Sequence, residues 1–400
     1  MLPTAVAAAV AAIALYGVSR LDPSAGYDGA AHLAYARFLA AENRLPTKAE
    51  TYEYASPPAY PWLAVQLHRA TGSWRSGQAL SAFWAAGLVL IAWLLARELW
   101  PRRPTFWAAA AGLTAGVPIV VRLGTMFHPE AQTAFFAGLA VLLGVRAERR
   151  GWPWPDGAAV GAALGLAALT RQTAAAVALG LALGVALAGR RRAARFGAAA
   201  AAALLLVAGP WWGYQASRFG NPLESNLNRY ILPDGQPRSF YVSAPLQDIV
   251  VHPYRPAFAG QLWPQFHADL WSDWFGGQHE YWAEPARGAT RLFVSSQSVL
   301  GLVFSVVALA GLFLLPRRPV LLAVVAVSWA AFVVQLIRFP QAGGDPIKAS
   351  YLLYLAPVFA AAAVAAAGKL WARGSAWRAG LAAWAALYAL SYAGFLATSW

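Results

Sequence analysis

The chain lacks cysteine, has two methionines, and is poor in charge: 12% of its 400 residues are Asp, Glu, Lys or Arg, against about 25% in ordinary soluble domains. Without cysteine, a disulfide scaffold and a thiolate-ligated zinc or iron–sulfur site are both excluded. Acids are scarce, 17 against 31 basic residues, which leaves a formal charge of +14. What takes the place of charge is apolar: 59% of the residues are hydrophobic, and 19 are tryptophan. The 26 prolines and 35 glycines argue against one long coiled coil. The composition implies an all-α, polytopic membrane protein. On a soluble chain a charge of +14 would suggest nucleic acid. Here it suggests basic connectors on the cytoplasmic side and anionic headgroups, with no nucleic-acid partner.

A membrane-spanning helix needs about 20 mainly apolar residues. Stretches that meet or approach this are 2–19, 78–96, 104–121, 131–147, 157–171, 172–189, 196–214, 292–315, 319–337, 350–367 and 377–398, so about 11 transmembrane helices are expected. The first lacks the basic flank of a signal peptide and reads as an uncleaved span. The stretch 57–70 is apolar but short, and is bracketed by proline and aromatic residues; it reads as an interfacial helix. Fifteen of the basic residues fall in five short connectors, at 97–103, 146–150, 190–195, 317–318 and 369–378, which together with their flanks hold only Glu98, Glu148 and Asp156 of the acids. The rule that Lys and Arg stay inside then makes these connectors and the N-terminus cytoplasmic, and the alanine- and arginine-rich usage suggests a bacterial inner membrane. The loops 20–77, 122–130, 215–291 and 338–349 face outward. Three regions result: 1–214 with the first outer loop, a small extracytoplasmic region 215–291, and C-terminal helices 292–400. Pairs with GxxxG spacing, Gly112 and Gly116, Gly161 and Gly165, Gly180 and Gly184, suit close helix contact or simply occur in alanine-rich helices.

Ionisable groups gather at outward span ends. Asp28, His32 and Tyr35 stand at i, i+4 and i+7, so a helix over 28–42 puts them on one face. Asp28 would then be either a helix cap or a functional carboxylate. His128 and Glu130 lie at the mouth of a span, where Glu130 is either a helix-terminal charge or a second site acid. One carboxylate would serve as general base, the other would orient substrate. Asp28, His128 and Glu130 are also the candidate ligands of a divalent metal ion. Arg171, Arg338 and Lys348 either snorkel to the interface or bind a lipid phosphate. The segment 215–291 shows no strand alternation and is expected to form short helices over the membrane face; its Trp263, Trp271, Trp274 and Trp282 either line a sugar site or pack the loop down.

Several of these stretches resemble, in order, the GT-C class of multi-span glycosyltransferases. More narrowly they resemble the protein O-mannosyltransferase and aminoarabinose-transferase-like group. YDGAAHLAYARFLAAENRLP and EYASPPAYPWLA are similar to its first outer loop, with Ser56 where histidine is usual before the two prolines. FHPEAQTAFFAGLAVLL, LGLAALTRQTAAAVAL, PWWGYQASRFGNPLESN, LWSDWFGG and IKASYLLYLAPVFA resemble later blocks. The resemblance implies Asp28 as catalytic base and Glu130 as a second acid near the acceptor or a metal. It implies Arg171, and Lys348 with Tyr351, near the donor phosphate. His32 or His128 would take the role of the missing histidine. The donor would be a polyprenyl-phosphate sugar, used on the outer face with inversion. The acceptor would be a hydroxyl of a glycan, lipid or protein. The paired acidic DxD motif of oligosaccharyltransferases is absent, which leaves metal dependence open. A transporter or flippase without chemistry is the alternative.

Overall fold

The structure is a computed structural model that describes residues 2–188, 191–227, 231–251, 261–272, 288–316, 319–341 and 347–398. The described residues are helical or irregular, with no strand among them. The long helices are α1 (Leu2–Arg20), α4 (Arg75–Leu99), α7 (Glu130–Arg149), α8 (Trp154–Ala168), α9 (Ala174–Leu187) and α10 (Arg191–Phe219). Between α1 and α4 lie α2 (Gly29–Glu42) and α3 (Ala59–Thr71); between α4 and α7 lie α5 (Pro104–Ala115) and α6 (Pro118–Thr125). The segment after α10 holds the short helices α11 (Arg238–Val242), α12 (Leu246–Val251) and α13 (Leu262–Trp271). The chain closes with α14 (Gly288–Leu312), α15 (Pro319–Arg338), a 3-10 turn (Ala349–Leu355), α16 (Ala356–Trp371) and α17 (Ser375–Thr398).

Each of the eleven apolar stretches is mainly helical where it is described, but fewer form helices long enough to span by themselves. Among the described residues, six helices are long and apolar enough to cross a membrane, seven if the bent pair α5 and α6 counts as one. The shortfall has local causes. α8 and α9 have 15 and 14 residues, which at about 1.5 Å each fall short of the hydrocarbon thickness. α5 and α6 meet at 58°, because Pro118 has no N–H for the helical ladder and clashes with the preceding turn.

Glycine decides which helices touch. A Cβ on Gly161 would sit 2.0 Å from the Ala200 carbonyl oxygen, and one on Gly165 2.6 Å from Val207, so α8 lies directly on α10. Gly180 and Gly184 likewise admit Val324 and Val320 of α15 to α9. Gly112, by contrast, has open space around it.

The 97–103 and 146–156 connectors share one end of the bundle, since Arg149 reaches Glu98 at 3.1 Å. At the other end α2 and α3 form a hairpin. Its core is Leu33, Tyr35, Ala36, Tyr60, Ala64 and Val65 against Phe127. Tyr60 donates to the Gly77 carbonyl at 2.9 Å, tying α3 to the start of α4. The segment 215–291 contributes the expected short helices at this end, and Trp274 and Trp282 lie outside the described residues.

Candidate functional site

The site begins with a backbone irregularity. Asp28 precedes α2 with φ 57, the left-handed region, and its side chain makes no capping hydrogen bond. A non-glycine residue there carries a conformational cost, and the usual return, a satisfied helix N–H, is missing. The carboxylate instead pairs with the Lys348 ammonium. Lys348 is buried and lies 5.2 Å over the Tyr27 ring. Burial pushes the Asp28 carboxyl upward, but Lys348, His32 and Arg171 outweigh it and hold the group below its ordinary value. Asp28 is therefore an anion at neutral pH, engaged by a cation.

One helical turn on, His32 faces inward, as the spacing predicts. Its Nε2 is 3.1 Å from Arg171 Nη2, and its ring meets that of His128 edge-on at 4.6 Å. Burial, with Arg171 nearby, lowers His32 to about 4. His128 is pushed well down by burial, by His32 and by Arg171. Both histidines are thus neutral.

Arg171 is the hub. It lies where the α8–α9 turn brings it between two carboxylates, with Nε 3.1 Å from Glu130 Oε1 and Nη1 3.6 Å from Glu53 Oε2. Its side chain is 14% exposed, and those of Glu130 and Glu53 are 1% and 2% exposed. A guanidinium presents five donors in a planar fork, which suits three partners on three sides. Glu53 was not singled out in the sequence. It accepts from Ser56 Oγ, sits 3.8 Å from His32 Nδ1, and receives Asn226 Nδ2 at 3.4 Å. Its one sequence cue is its place three residues before Ser56-Pro57-Pro58. The loop bearing it is anchored by Ala59 N–H to the Leu169 carbonyl at 3.0 Å and by Gln215 Nε2 to the Ala55 carbonyl at 2.9 Å.

Beside this cluster opens a cavity of about 490 Å³. Arg171, Ser56, Asn226 and Tyr351 border its polar end; Leu179, Ala175, Ala331, Phe332 and Val334 of α9 and α15 form an apolar wall. Arg338 lines the rim and is exposed, 5.8 Å over the Phe339 ring. It does not join the buried cluster. Of the tryptophans that were to line a sugar site or pack the segment down, Trp271 is buried against Phe304 and donates to Ser305 Oγ at 2.9 Å. Trp263 donates to the Tyr241 carbonyl and packs near Trp329. Both pack the segment onto the helices, and neither lines the cavity.

Asp28, His32 and His128 offer ligand atoms within 4.8 Å of one another; Glu130 is not part of that trio. The donor set fits a resident metal poorly. Lys348 already occupies Asp28 and Arg171 already occupies His32 Nε2, so a divalent ion would enter among two cations.

Residues 55–214 match the family model described as dolichyl-phosphate-mannose-protein mannosyltransferase. ArnT from Cupriavidus metallidurans bound to undecaprenyl phosphate superposes with a TM-score of 0.53 at 16% identity, over 92% of this chain and 60% of that one. The oligosaccharyltransferase of Archaeoglobus fulgidus in the apo form gives 0.59 at 16% identity, over 99% and 56%. The same organism's oligosaccharyltransferase AglB, in complex with an inhibitory peptide and a dolichol-phosphate, gives 0.58 at 17% identity, over 99% and 56%. This chain has their fold. It spans somewhat over half the length of each. A sequence search of curated proteins returns no match.

Proposed function

We propose that the chain is a membrane glycosyltransferase of the GT-C kind, which moves a sugar from a polyprenyl-phosphate donor to an acceptor hydroxyl on the outer face. One observation carries this reading. Asp28, Glu130, Arg171 and Lys348, drawn from widely separated stretches, converge beside a cavity whose other wall is apolar. That juxtaposition suits a ligand with an anionic head and a hydrocarbon tail. The similarity to the mannosyltransferase family model, and the lipid phosphates bound by ArnT and AglB, support the donor class.

In this mechanism the polyprenyl chain lies along α9 and α15, and its phosphate meets Arg171 and Arg338, with Lys348 and Tyr351 alongside. The phosphate gives the Lys348 ammonium a second partner and frees Asp28. Asp28 takes the acceptor proton as the acceptor oxygen bonds to the anomeric carbon. The bond from that carbon to the phosphate oxygen breaks, and polyprenyl phosphate leaves. Arg171 and Lys348 stabilise the charge that develops on it. Glu130 and Glu53 hold Arg171 in place; neutral His32 and His128 pack against Asp28. A single displacement inverts the sugar. The topology that goes with this is eleven helices, the short α8 and α9 included, with basic connectors inside and the site outside. The regions 1–214, 215–291 and 292–400 serve as catalytic module, outer cover and C-terminal helices.

The test is sugar transfer by purified protein in detergent micelles, with a radiolabelled polyprenyl-phosphate sugar and a mixture of cell-envelope acceptors. Transfer or release of the sugar without any vesicle supports the enzyme. An intact donor throughout, with movement seen only across sealed vesicles, supports a transporter.

A further inference from the structure

We infer that Asp269, on α13 and remote in sequence from the other site residues, is a positioning residue of the site: it fixes the backbone from which Lys348 reaches Asp28. Its effect on rate rests on the glycosyltransferase reading; the positioning itself does not.

α13 packs on α14 and also meets the 3-10 turn. His267 Nε2 lies 2.9 Å from the Ser298 carbonyl oxygen, and Trp271 donates to Ser305 Oγ, both on α14. Residues 267 and 271 share one helix face, and residue 269, about 200° round from 267, points the other way. Trp271 packs so closely on Gly301 that a Cβ there would lie 2.4 Å from its ring, so α13 cannot slide on α14. On the side away from those two residues Asp269, 5% exposed, accepts the Ala349 N–H through Oδ2 at 2.5 Å. Ala349 opens the 3-10 turn. Its N–H is one of those a helix start leaves without an internal partner, and a carboxylate is favoured there. Lys348 occupies the preceding cap position in extended backbone, φ −128 and ψ 116. From there its side chain passes over Tyr27 to Asp28, while Tyr351, one turn later, borders the cavity. A buried N–H without its acceptor would seek another partner. Residue 348 would shift with it, and a long flexible ammonium chain holds a buried pair only from a fixed base.

The test uses the full chain in native membranes and a small amine-acylating reagent, with modification of Lys348 read by mass spectrometry. Wild-type Lys348 is protected. Asp269→Ala is expected to label several-fold faster, and Asp269→Asn, which keeps an acceptor oxygen, to stay within about twofold of wild type, because the hydrogen bond survives. Sugar transfer in Asp269→Ala is expected to fall about tenfold, the size of one lost hydrogen bond to a charged group, with little further loss in a Lys348→Met background. Unchanged labelling in Asp269→Ala, labelling of Asp269→Asn as fast as exposed lysines, or an equal rate loss in the Lys348→Met background would each overturn the inference. If Asp269→Ala does not insert, the labelling of Asp269→Asn still tests the inference. A wild-type protein that transfers no sugar refutes the enzyme reading and leaves the labelling result standing.

Discussion

Replacing Arg171 by methionine removes the one guanidinium that faces both Glu130 and Glu53. The side chain keeps its bulk, and the two carboxylates, 1% and 2% exposed, are left without their cation. Taking away one partner of a buried pair costs roughly 3–5 kcal/mol, because the remaining charge stays desolvated, whereas an exposed pair is worth about 1 kcal/mol or less. The low exposure of all three groups puts Arg171→Met in the first range. Adding Glu130→Gln to Arg171→Met removes one stranded charge at the shorter contact, 3.1 Å, and should recover a large part of the loss. The assay is thermal unfolding in detergent for wild type, both single variants and the double variant. An Arg171→Met protein within about 1 kcal/mol of wild type, or a double variant as unstable as the two singles summed, would refute the hub.

Other predictions follow from the same geometry. His32 and His267 are both lowered to about 4 by burial, from an ordinary 6.5, so the folded state binds fewer protons than the unfolded state between those values. Their contribution is full above pH 6.5 and is lost as pH falls towards 4, by about 3 kcal/mol each. Melting followed from pH 7.5 to 4.5 should show falling stability, and His267→Gln should flatten that slope. Gly161→Ala places a methyl 2.0 Å from the Ala200 carbonyl and should cost about 1–3 kcal/mol. Gly112→Ala, with nothing within 4 Å, should leave the melting temperature unchanged or raise it, since alanine is the better helix former.

Sequence made some of this visible and hid the rest for physical reasons. The face formed by Asp28, His32 and Tyr35 follows from helical period alone, and His32 and Tyr35 are buried as that period requires. Asp28 read equally well as a cap; only its left-handed backbone and its pairing with Lys348 separate the two. Glu130 and Arg171 were conspicuous because charge at the end of an apolar run is costly. Glu53 was not, because it sits in a polar loop where an acid costs nothing until the chain folds over it. Asp269 was hidden for a related reason: its partner, the Ala349 N–H, is a backbone group, which no side-chain pattern marks. The spans were least legible at residues 157–189, where two short apolar stretches abut at Arg171 and fold as helices of 15 and 14 residues. The GxxxG pairs were indistinguishable as text, and only the neighbours of each glycine separate Gly161 from Gly112.

The most direct measurement compares wild type with Asp28→Asn, both purified, for transfer of a labelled sugar from a polyprenyl-phosphate donor. Asparagine keeps the shape of the side chain and removes the basicity, so transfer should vanish while insertion and thermal stability change little beyond the loss of the Lys348 pair. Transfer by Asp28→Asn at the wild-type rate would contradict Asp28 as the base.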